Sequence, residues 1–140
     1  MVKRIAILLS VAVMVAPAAG RAQTAADTAG IRAAALDYIE GWYEASGERM
    51  ARALHPELAK RIVYTDSAGR SWVGDMGATQ LTRGAAAGGG SRTPPAMQRK
   101  DVRILDVFQN TASVRIDAAQ WVDYLHLVKW QGRWVILNVL

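Results

Sequence analysis

The chain has no cysteine, two histidines (His55 and His126) and a single phenylalanine (Phe108) in 140 residues. Without thiols there can be no disulfide, no thiolate nucleophile and no cysteine-based zinc site, so stability must come from packing. Two histidines this far apart supply neither an all-histidine metal centre nor zinc-ligand spacing, and no cofactor is implied. The glycine-rich stretch near residue 88 is not followed by Lys-Ser/Thr, so it is no phosphate loop. A G-x-S-x-G nucleophile elbow is missing too. Basic residues are scattered, without the Lys/Arg clusters and interleaved aromatics of a nucleic-acid-binding surface.

What is present describes an ordinary globular chain of one domain, with 51% hydrophobic and 21% charged residues. Seventeen Lys+Arg stand against 12 Asp+Glu, a net charge of +5. Part of that excess belongs to the N-terminus. Lys3 and Arg4 precede an uncharged stretch from Ile5 to Ala16, and Pro17 to Ala22 supply small residues before a break. This pattern predicts a secretory signal peptide over residues 1–22, cleaved after Ala22 or alternatively after Gly20. The apolar run is shorter than the roughly 20 residues a bilayer span needs, an uncleaved anchor being the competing reading. Losing Lys3, Arg4 and Arg21 leaves 14 basic against 12 acidic residues, a net of +2. So near-neutral a chain is drawn by charge neither to nucleic acid nor to a membrane surface. The expected location is periplasmic or secreted, with no membrane attachment after cleavage.

In the remaining 23–140 domain, residues 23–30 read as a frayed lead-in. Ile31, Ala34, Ala35, Tyr38, Ile39 and Trp42 then fall on one helical arc, with Asp37, Glu40 and Glu44 opposite. The spacing predicts an amphipathic helix over about 30–45. A short second helix through Met50, Ala51 and Leu54 is expected to end at His55-Pro56, with one more turn over Glu57–Arg61. Ile62–Thr65 and Ser71–Val73 read as strands around a Ser67-Ala68-Gly69 turn. A helix is expected from Asp75 to about Gly84, and residues 84–95 (GAAAGGGSRTPP) as a flexible, unpacked loop. Four strand-like runs follow: Val102–Phe108, Ala112–Asp117, Trp121–Trp130 and Trp134–Leu140. Asn110-Thr111 and Gln131-Gly132 are placed as hairpin turns. Around Ala118–Gln120 either a turn or a bulged continuous strand is open. Helices followed by a meander define an α+β class.

In this order of elements the chain resembles the nuclear transport factor 2-like superfamily, and within it the putative lumazine-binding family. The residues carrying the likeness are DVRILDVF (101–108), TASV (111–114), DYLHL (123–127), WQGRWVI (130–136) and the Asn138-Val139-Leu140 end. ALDYIEGWYEA in the first helix and LHPEL (54–58) also match. The resemblance implies a cone-shaped fold with N-terminal helices packed in a curved antiparallel sheet. It also implies an apolar pocket between first helix and sheet, for a small apolar or aromatic ligand. The superfamily hosts enzymes and non-catalytic binders on one scaffold, so the fold does not select between them.

Flat aromatic faces with a polar handle suit a planar ligand. The residues offered for such a pocket are Tyr38, Trp42, Trp72, Trp121 and Tyr124, together with His126, with core filling as the alternative for each. His126 shares strand parity with Tyr124 and Val128, and would need a carboxylate to act as a general base. Asp123 has the opposite parity. If the domain were an isomerase of the ketosteroid type or a SnoaL-like lyase, Asp117, Tyr38 and Tyr64 are the nominees. A binder ranks first, because no aspartate is placed inward by the pattern. The last strands carry apolar residues at both parities, which predicts a homodimer through the outer sheet face.

Overall fold

The computed structural model describes residues 24–140; the predicted signal peptide and its cleavage point lie outside them. Helix α1 spans Ala25–Tyr43 and α2 Gly47–Ala53. Strands β1 (Leu54–Thr65) and β2 (Ser71–Met76) form a long hairpin, followed by α3 (Ala78–Ala86) and a 3₁₀ turn at Pro95–Met97. Strands β3 (Asp101–Phe108), β4 (Thr111–Asp117), β5 (Val122–Trp130) and β6 (Arg133–Val139) complete one six-stranded sheet of order β2-β1-β6-β5-β4-β3.

The α+β class holds, but the sheet is mixed, because β1 runs parallel to β6. The cause lies at the α2–β1 junction. Proline after His55 drives that residue out of helical geometry, and the chain goes straight into a strand instead of adding the expected turn at Glu57–Arg61. Pro56 falls inside an irregularity of the β1–β6 ladder, between the pairs Leu54↔Ile136 and Ala59↔Asn138. That is where a residue without an N–H costs no ladder bond. The extra strand length puts Leu58 and Lys60 on the helix-facing side, where both are buried.

The first helix starts one and a half turns earlier than its apolar stripe. Thr24 is the N-cap: its hydroxyl accepts from the Asp27 N–H (3.0 Å), and Asp27 accepts from the Thr24 N–H in return. This reciprocal pairing orders the segment expected to fray. Asp27 also accepts from Lys129 (2.8 Å) and from Trp134 Nε1 (3.1 Å), tying the first turn to the β5–β6 hairpin. That hairpin turns at Gln131-Gly132, both with positive φ, as a two-residue type I′ turn requires. Between β4 and β5 the open choice resolves as a turn, closed by Ala118 N–H donating to the Trp121 carbonyl.

The glycine-rich loop is also packed, contrary to the sequence expectation. The Gly90 N–H donates to the Trp42 carbonyl, and a Cβ on Gly90 would lie 2.6 Å from Cδ1 of Trp42. Glycines here serve close approach: the loop lies flat on the indole because it has no side chains to lift it.

Helix α1 is held to α2 by charge. Arg49 bridges Asp37, Glu40 and Glu44, and Arg52 also binds Asp37. Four carboxyls sit below the usual carboxylate range: Asp27 chiefly through Lys129, Asp37 chiefly through Arg52, Asp66 chiefly through the Arg70 backbone N–H, and Asp117 chiefly through Arg115. A depressed carboxyl contributes stability that is complete above its unfolded pKa of about 4 and is lost as pH falls through its folded value. The melting temperature should therefore be flat from neutral pH to about pH 5 and fall progressively below about pH 4. A melt series across that range reads it directly; an unchanged melting temperature down to about pH 2 would contradict these ion pairs.

Candidate functional site

Strand alternation decides which side chains reach the interior. In β5, Asp123, Leu125 and Leu127 are buried against the helical layer, while Tyr124 and His126 point to the opposite, solvent-facing side. Cross-strand partners agree: Val114 pairs with Leu125 and Ile116 with Asp123, and all four side chains are buried. An aspartate is thus carried into the interior of the sheet's concave face.

It meets two partners there. Tyr38 comes from the apolar stripe of α1 and Lys60 from β1. The Tyr38 hydroxyl donates to Asp123 Oδ2 at 2.7 Å. Lys60 Nζ donates to the Tyr38 oxygen at 2.7 Å and approaches both carboxylate oxygens at 3.1 Å. A fourth group, Trp121 Nε1–H, donates to Asp123 Oδ2 at 3.1 Å from the β4–β5 turn. The ion pair is buried, with side-chain exposures of 9% and 7%.

Burial is the main cause that pushes the Tyr38 phenol well above its ordinary value, and the adjacent Asp123 charge adds to it. Tyr38 is therefore a fixed proton donor at neutral pH. No buried side-chain nitrogen or oxygen among the described residues lacks a hydrogen-bond partner. Among those residues no cluster of His, Asp or Glu is arranged to hold a metal ion. Trp121 is half-buried at the edge of the cluster and tilts against Tyr43, ring centroids 6.2 Å apart.

Of the six residues singled out from sequence, the structure brings Tyr38 and Trp121 together and disperses the rest. Trp42 lies under the glycine loop, against Gly84, Gly89 and Gly90. Trp72 is 53% exposed and stacks on Tyr64 across the β1–β2 hairpin, centroids 5.4 Å apart. Tyr124 lies on the outer sheet face beside Arg115, and His126 is paired there with Ser113 and Asn138. The expectation that His126 faces the helix is corrected: the leucines at the alternate positions take the interior, and the imidazole goes to water. Asp117 is likewise bound to Arg115, away from Tyr38. His55, expected at the end of the second helix, is buried with its ring edge-on to Trp130.

Lys60 was missed altogether, because a lysine between Ala59 and Arg61 reads as a solvated charge. Asp123 gave no signal either: its parity holds Leu125 and Leu127 but also Lys129, while Val122, Tyr124, Val128 and Trp130 make the opposite face equally apolar.

Three helices on one curved mixed sheet define a domain of the nuclear transport factor 2-like fold. The chain belongs to the family described as Putative lumazine-binding, whose model matches residues 26–140. Solved structures agree on the fold. An NTF2-like protein of unknown function from Methylobacillus flagellatus KT shares 20% identity at a TM-score of 0.60, covering 83% of this chain and 90% of that one. NTF2-like proteins of unknown function from Silicibacter pomeroyi DSS-3 (14% identity, TM-score 0.55, 80% and 91% covered) and Shewanella baltica OS155 (18%, 0.52, 83% and 93%) are similar too. A comparison with curated proteins gives no match.

Proposed function

We propose that this protein is an exported, non-catalytic domain that binds a small planar ligand on the concave side of its sheet, with Trp121 and Tyr38 at the ligand. The observation that carries the reading is the saturation of the inward polar groups. Lys60 engages both Asp123 oxygens, and Tyr38 and Trp121 both donate to Oδ2. A general base needs a free lone pair aimed at substrate, and this carboxylate has its charge matched by Lys60 and three donors on Oδ2. The half-buried Trp121 indole offers the flat face that a planar ligand needs. The family description, which names lumazine binding, supports the ligand class, and the basic start with its apolar run in residues 1–22 supports export.

Titrating the purified protein with lumazine should quench tryptophan emission saturably, and Trp121→Phe should remove most of the change. Native mass spectrometry of the protein recovered from the cell envelope should show a small-molecule adduct. The absence of both a saturable response and an adduct would sink the reading.

One observation favours a second reading, that of an isomerase or lyase: the Tyr38 phenol and Asp123 carboxyl form a 2.7 Å pair inside an apolar layer. Proton exchange of a bound cyclic ketone that disappears in Asp123→Asn would select it over binding.

A homodimer through the outer sheet face completes the proposal, supported by the exposure there of Val122, Tyr124 and Trp130 at 39%, 46% and 51%. Sedimentation at micromolar concentration should give twice the chain mass, and Tyr124→Glu the single mass; a wild-type monomer refutes it.

A further inference from the structure

Apart from the concave cluster, the surface carries a groove of about 630 Å³ where the 3₁₀ turn runs into β3, lined by residues 96–101 and Ala119. Its two walls are fastened to each other. The Tyr43 hydroxyl donates to the Arg99 carbonyl at 3.2 Å and accepts from the Ala119 N–H at 2.9 Å. Pro94-Pro95 stiffens the turn, and Gln98 closes it by donating its side-chain amide to the Thr93 carbonyl at 3.0 Å. The groove is thus pre-formed, so a ligand need not order it.

Its lining has two halves. Met97 is 57% exposed beside Ala96 and Ala119, a polarizable apolar surface left open to water. Next to it stand Arg99 and Lys100. Arg99 is held by Asp101 through its Nε alone, at 2.7 Å, and its two terminal nitrogens make no hydrogen bond among the described residues. Lys100 makes one long contact, 3.4 Å to Glu40. Asp101 therefore orients the guanidinium without using its outer edge. The segment feeding the groove, residues 84–100, contains Arg92, Arg99 and Lys100 and no acidic residue.

We propose that this groove is a second binding site, for small carboxylates with a compact apolar or aromatic body. The carboxylate meets the outer fork of Arg99, whose planar geometry suits it, with Lys100 adding charge. The body lies on Met97, Ala96 and Ala119. The groove adjoins the concave cluster through Tyr43 but shares no lining residue with it, and it goes beyond the function proposed above.

The test uses the purified, ¹⁵N-labelled protein, titrated with 2-naphthoate and with the neutral 2-naphthalenemethanol while amide shifts are followed. Saturable shifts at Met97, Lys100 and Ala119 are expected for naphthoate, with roughly tenfold weaker binding by the alcohol and by Arg99→Gln. Arg99→Gln leaves the backbone carbonyl that Tyr43 binds, so its spectrum should overlay the parent away from the groove. Met97→Gln should weaken both probes alike. Equal affinity for acid and alcohol, no loss in Arg99→Gln, or no saturation by about 10 mM would overturn the site. Shifts confined to Tyr38, Trp121 and Asp123 would overturn it too, while supporting the concave binding site.

Discussion

Lys60→Met is expected to lower stability by about 3–5 kcal/mol, because it strands a buried carboxylate among partners that cannot neutralise it. Tyr38 and Trp121 would still donate to Asp123, but the charge would remain in an apolar layer walled by residues such as Ile116 and Leu125. In a domain of this size that loss corresponds to a fall in Tm of roughly 10–20 °C. The double variant Lys60→Met/Asp123→Leu removes both charges and should recover much of the loss, since well-packed apolar replacements of a buried pair are often neutral. Urea unfolding of the two variants and the parent measures both numbers. A single variant within about 1 kcal/mol of the parent would mean that water reaches the pair, and the description of the cluster as closed would be wrong.

Trp134→Ala is expected to cost about 3–5 kcal/mol, in the range of large aromatic truncations in a core. Trp134 is 7% exposed and its Nε1–H donates to Asp27. A Cβ on Gly30 would come within 2.8 Å of its Cδ1, which shows how closely α1 lies on the indole. The substitution thus empties core volume and releases the first turn of the helix from the β5–β6 hairpin. Trp130→Ala, four positions earlier and half-exposed, should cost no more than about 1 kcal/mol, and His126→Ala about 0.5 kcal/mol or less. Denaturant midpoints for the three variants give the comparison; equal losses for Trp134 and Trp130 would contradict the placement of the two rings.

Strand alternation explains both why these residues carry such different weights and why sequence alone misassigns some of them. In β5 the order Asp-Tyr-Leu-His-Leu offers two complete faces, one with an aspartate and leucines, one with a tyrosine and a histidine. Aromatic content favours the second face for a pocket. The neighbouring strands choose the first, since Ala112, Val114 and Ile116 line up with Leu127, Leu125 and Asp123. A shift of one residue exchanges the faces completely, so the pattern within one strand cannot decide the matter. The glycine loop shows the same limit, because its composition describes a free segment, and the surface it packs on, Trp42 with Tyr43, comes from the distant first helix.

By itself the sequence determined the class of fold, the apolar stripe of the first helix with Tyr38 inward, the β4 and β6 runs, and the Gln131-Gly132 turn. These rest on periodicity and local backbone preference, which act over a few residues and are legible without partners. Tertiary structure alone decided that Leu54–Thr65 is one strand parallel to β6, that Lys60 is buried, and that Lys60, Asp123, Tyr38 and Trp121 converge. A charge is buried only where another part of the chain brings its counter-charge. Lys60 and Asp123 are 63 positions apart, and no local pattern in either segment announces the other.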